Sequence, residues 1–119
     1  MPSEQRILRE NDHAVLIRDG FPVSAGHSLV VPKRHVCSFF EISEVERLAM
    51  FNLLDLAKID IDAEHQPDAY NIGVNDGAAA GQTVPHLHIH LIPRFDGVAN
   101  DPRGGVRWVV PEKADYWNQ

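Results

Sequence analysis

Two sequence features and the connections between them predict an α+β domain with a largely antiparallel sheet and one long helix. Ser43 to Glu64 opens on a capping pattern and repeats apolar residues at helical spacing. Val84 to Ile92 alternates apolar residues with His86, His88 and His90, the period of a strand. The remaining apolar runs are short and joined by polar turns. With 119 residues and no repeat or linker, residues 1–119 are expected to form a single domain.

Taken in order, Ile7–Glu10 and His13–Arg18 read as two strands joined by a tight turn at Asn11-Asp12. Asp19-Gly20-Phe21-Pro22 breaks the pattern, and Ser28–Pro32 resumes it as a buried strand. Ser43 is the expected N-cap of the helix, with Glu46 completing the box; Val45, Leu48, Ala49, Leu53, Leu56 and Ala57 mark its apolar face. Ala69–Val74 is a further strand, leading into the small-residue loop Asn75–Thr83. Val84–Pro93 is the histidine strand. Gly105–Pro111 reads as a last, strand-like segment, followed by Tyr116 and Trp117.

Composition excludes several classes. Hydrophobic content of 44% and charged content of 24% are ordinary for a globular protein. No apolar run approaches a membrane span and no signal pattern opens the chain, so cytoplasmic residence is expected. A net charge of −6 argues against a nucleic-acid partner. Cys37 is the single cysteine, so neither an internal disulfide nor a cysteine-rich zinc cluster is available. Lys33, Arg34 and Arg94 flank the two richest motifs as local cations.

The alternation puts His86, His88 and His90 on one face and Leu87, Ile89 and Leu91 in the core. The loop just upstream, rich in Gly and Ala, lets backbone N–H groups approach an anion closely. Imidazole is a competent nucleophile near neutral pH, and attack on phosphorus would split one difficult displacement into two easier ones. Phosphate chemistry is therefore the leading expectation. Two alternatives stand beside it. Three histidines on one face can also ligate zinc, making a metal-binding protein, and the site can serve a non-catalytic nucleotide-binding module.

His86-Leu87-His88-Ile89-His90, preceded by Gly81-Gln82-Thr83, resembles the signature of the histidine triad (HIT) family of nucleotide hydrolases and transferases. Gly26-His27-Ser28-Leu29-Val30-Val31-Pro32 is similar to a second motif of the same family. The resemblance implies a HIT-like fold whose sheet continues across a homodimer, and no cofactor. It implies that His88 is the nucleophile, His90 a phosphate contact, His86 an orienting residue and His27 the fourth histidine, on a neighbouring strand. Asn75, Gly81, Gln82 and Thr83 would meet the phosphate region, and Asp19 the ribose. Adenine is the family's usual base. Gly20 stands where relatives often place an apolar residue, with Ile17 and Leu8 left to wall the base. The expected reaction is hydrolysis at the α-phosphate of a nucleoside-phosphate conjugate through a nucleotidyl-histidine. Asn75 points to the phosphoramidase-like branch, Asp76-Gly77 and Ala80–Val84 to the dinucleoside-polyphosphate branch. His35 is expected to support the site from outside it, and His13 and His65 to lie at the surface.

Overall fold

The computed structural model describes residues 2–118. Five strands, β1 (Ile7–Glu10), β2 (Ala14–Arg18), β3 (Ser28–Pro32), β4 (Ala69–Gly73) and β5 (Ile89–Arg94), form one sheet. Their order across it is β1-β2-β3-β5-β4, and every adjacent pair is antiparallel. Helix α1 (Glu44–His65) connects β3 to β4, and a short helix α2 (Pro111–Ala114) lies near the C-terminus. The α+β fold read from the sequence is the one observed.

Local chemistry explains the boundaries. Asn11 Oδ1 accepts the N–H groups of His13 and Ala14, closing the β1–β2 turn, and its Nδ2 donates to Ala49 O of α1. Ser43 Oγ accepts Glu46 N–H while the Glu46 carboxylate accepts Ser43 N–H, the reciprocal cap expected from the sequence. Gln66, at φ 52°, ends the helix in the left-handed conformation.

The helix covers one face of the sheet. Met50, Leu53, Ala57 and Ile61 pack on Ala14, Leu16, Val30, Leu87, Ile89 and Leu91. This face is rotated from the expected one: Val45 and Leu48 are exposed, and Glu46 is buried beside Arg34 instead. The opposite face of the sheet carries a second apolar set, Val15, Ile17 and Val31 with Ile7 and Leu29. Helix α1 does not cover this second face, and it is where the histidines lie.

Two expected strands differ. The histidine strand starts at Ile89, not Val84, although burial already alternates from His86 onward. Pro85 has no N–H to pair, and the carbonyl of Pro32, at the end of β3, is taken by the His86 imidazole at 2.8 Å. The ladder therefore stops while the alternation continues. Gly105–Pro111 is not a strand. Gly104 and Gly105 both have positive φ and turn the chain into a 3₁₀ helix at Gly105–Val109, after which Pro111 opens α2. Trp108 Nε1 donates to Arg103 O, while Arg103 and Arg107 stack over Trp117 and Tyr116.

Candidate active site

A cleft of about 580 Å³ opens on the sheet face opposite α1. Ile17, Leu29 and Val31 line its apolar part, and Asp19, Gly20 and Phe21 border it. His86, His88 and His90 line it with Asn75, Gly81 and Thr83. The fold thus gathers most of the residues singled out from the sequence. Leu87, Ile89 and Leu91, at 0, 2 and 2% exposure, anchor the histidine segment from behind.

Backbone partners fix the protons on the imidazoles, since a carbonyl only accepts and an amide N–H only donates. His88 Nδ1 lies 3.0 Å from His86 O, so Nδ1 carries the proton and Nε2 keeps its lone pair. His86 donates its Nε2–H to Pro32 O, and His35 packs edge-on against its ring at 5.0 Å. His27 Nδ1 accepts Val23 N–H at 3.2 Å, which leaves the proton on Nε2. That proton faces His90 Nδ1 at 2.9 Å, with Asp19 Oδ2 at 3.4 Å from the same nitrogen. His90 in turn carries its proton on Nε2. Burial pushes His27 below the ordinary imidazole value; it does the same to His90, aided by the neighbouring His88 and His27 and opposed by Asp19. Neutral rings linked in a donor chain follow from both facts.

His27 itself is 3% exposed and reaches the cleft only through His90. Asp19 is engaged as well: Oδ1 accepts Phe21 N–H at 2.8 Å, closing a turn, while the carboxylate still borders the cleft. The loop departs further from expectation. The N–H of Gly81 is spent on Ala78 O, because the 3₁₀ turn Ala78–Ala80 closes on it. Gln82 binds the loop together, its Oε1 accepting Gly77 N–H and its Nε2 donating to Cys37 O and Val84 O. Among the described residues the side chain of Asn75 and both the N–H and hydroxyl of Thr83 make no hydrogen bond, so these are the polar groups left for a ligand.

Asp19, His27 and His90 offer three donor atoms within 4.8 Å of one another, the right types for a metal. The hydrogen bonds oppose that use. A metal on His27 Nε2 would move the proton to Nδ1, setting it against Val23 N–H, donor against donor. The three atoms suit a hydrogen-bond relay better. The flanking cations are also elsewhere: Lys33 pairs with Glu10, Arg34 with Glu46, and Arg94 bonds Asn71. The cleft's cation is Arg6, which no motif in the sequence marked.

Residues 2–97 match the HIT domain family model. The chain is a member of the HIT family. Over 87 residues, 73% of its length, it is 41% identical to a protein named adenylylsulfatase from Arabidopsis thaliana. Over 98 residues, 82% of its length, it is 34% identical to a bis(5'-adenosyl)-triphosphatase of Saccharomyces cerevisiae. The matched segments span 44 and 45% of those relatives, and 63% of a HIT-like protein from Mycoplasma genitalium. A HIT family protein of Bacillus anthracis superposes with a TM-score of 0.73 at 35% identity, covering 76% of this chain and 64% of that one. The HIT match ends before the Arg- and Trp-rich C-terminal segment.

Proposed function

We propose that this HIT protein hydrolyses nucleoside-phosphate conjugates at the α-phosphorus, with His88 as nucleophile. The observation that carries the reading is the bond from His88 Nδ1 to His86 O, which leaves Nε2 unprotonated beside the cleft. Its lone pair attacks phosphorus, forming a P–N bond as the bond to the leaving group breaks. Water then cleaves the P–N bond, releases the nucleoside monophosphate and restores the imidazole. His90 Nε2–H, held by the relay from His27, meets the negative charge on the non-bridging oxygens together with Thr83 and Asn75. Asp19 borders the ribose, and Ile17, Leu29 and Val31 pack against the base.

The relatives support the substrate class, because both names denote hydrolysis at an adenosine-bearing phosphate. They differ in the leaving group, so an amine, a sulfate and a second nucleotide all belong in the trial set. The test compares wild type with His88→Ala on adenosine phosphoramidate, adenylyl sulfate and diadenosine polyphosphates. Loss of turnover with nucleotide binding retained is expected, along with a nucleotidyl adduct on wild-type His88 by mass spectrometry of quenched reactions. His88→Ala turning over within a few-fold of wild type overturns the assignment.

A further inference from the structure

We propose that Arg6 reads the base edge in the cleft and favours a 6-oxopurine, guanine or hypoxanthine, over adenine. The inference rests on the nucleotide reading above and goes beyond it, because it names the base. His90, Leu29, Ile17 and Ile7 are paired in register across β5, β3, β2 and β1. They form a row running from the proposed phosphate end to the far edge of the sheet, three strand spacings or roughly 14 Å. Arg6 immediately precedes Ile7 and lines the cleft.

Its guanidinium turns back over Gly20. Nη2 lies 3.8 Å from where a β-carbon on Gly20 would sit, and it donates to Arg18 O at 3.0 Å. Gly20 directly follows Asp19, the carboxylate proposed at the ribose, so the next part of a nucleotide outward is its base. An apolar side chain at position 20 would present a blank wall there. Glycine instead leaves the guanidinium as that wall, beside Ile17. The bond to Arg18 O is the only side-chain hydrogen bond of Arg6 among the described residues, so Nε–H, Nη1–H₂ and the second N–H of Nη2 remain free, and that second Nη2–H completes a two-donor edge with one of the others.

A guanidinium offers donors and no acceptor. Guanine and hypoxanthine present O6 and N7, two acceptors that match the fork bidentately; adenine presents N7 beside an amino donor. One good bidentate pair discriminates by roughly ten- to a hundredfold.

Calorimetric binding of GMP, IMP, AMP and 7-deaza-GMP to the wild-type protein tests this directly and needs no turnover. GMP and IMP are expected to bind about tenfold or more tighter than AMP, and 7-deaza-GMP, lacking the N7 acceptor, to lose most of that gain. Arg6→Ala should bring the GMP/AMP ratio to about one, and Arg6→Lys, which keeps the charge but not the fork, should lower it. Equal affinity for GMP and AMP in wild type, tighter AMP, or a ratio that survives Arg6→Ala overturns the proposal. The substrate-side comparison decides it even if the variants fold poorly. Failure of the hydrolase reading shows separately, as tight nucleotide binding without cleavage of any conjugate.

Discussion

At the scale of single residues, the site works by fixing protons on neutral rings. His86 O holds the proton of His88 on Nδ1, and Val23 N–H forces that of His27 onto Nε2. Thr83 brings an unbonded N–H and an unbonded hydroxyl to the cleft, so Thr83→Ala removes the hydroxyl and keeps the N–H. Losing a whole stabilising donor costs about a hundredfold or more in kcat; Thr83→Ala is expected to fall short of that, and a loss as complete as that of His88→Ala would give the hydroxyl a larger role. The buried rings also set a pH response. Folded His27 and His90 titrate below the ordinary imidazole pKa of about 6.5, so between the two values the unfolded chain binds more protons. Their contribution to stability is present above about pH 6.5 and is lost as pH falls beneath it. Melting temperatures between pH 7.5 and 5 should fall more steeply for wild type than for His27→Gln. Parallel curves would show that His27 is not a source of the acid loss.

At the scale of elements, what the sequence made legible is what short-range chemistry decides. The Ser43–Glu46 cap needs only its own four residues, and it forms as read. Ser43→Ala should cost about 1 kcal/mol of stability by denaturant titration, with the slope unchanged; no change would mean that the Arg34–Glu46 pair, which with Ser43 holds the Glu46 carboxyl down at about 2, fixes the helix start alone. Alternation from Leu87 to Leu91 likewise specified the buried and cleft-facing sides without any knowledge of partners. The misses share a cause: each depends on a group distant in sequence or on a competing local bond. Where β5 begins depends on Pro32 O being claimed by His86, 54 positions away. The Gly81 N–H was lost to a three-residue turn. Arg6 reaches the cleft because β1 pairs with β2, which brings the residue before Ile7 beside Asp19 and Gly20. The tail's Val- and Trp-rich pattern fits a strand, yet no strand pairs with it among the described residues, and two positive-φ glycines turn it helical.

At the scale of the whole molecule, one side of the sheet is left open. β4 is an edge strand, with β5 on one side only. Ile72 within it is 53% exposed, and beyond it Val106, Trp108, Val109 and Val110 are also exposed, at 44 to 81%. An unpaired edge beside exposed apolar side chains invites a partner strand. HIT membership, as read in the sequence, implies a sheet that continues across a homodimer, and this edge suits that junction because it runs beside the strand that carries His90. A second copy related by a two-fold axis would set β4 antiparallel to its own equivalent and cover the same apolar residues on both sides. Sedimentation equilibrium at micromolar concentration should then give twice the 13.3 kDa chain mass. Ile72→Asp, which places a charge at the junction while leaving the cleft residues alone, should shift that equilibrium toward the single chain. A lone 13.3 kDa species for the wild-type protein across that concentration range would exclude the dimer and leave β4 a true free edge.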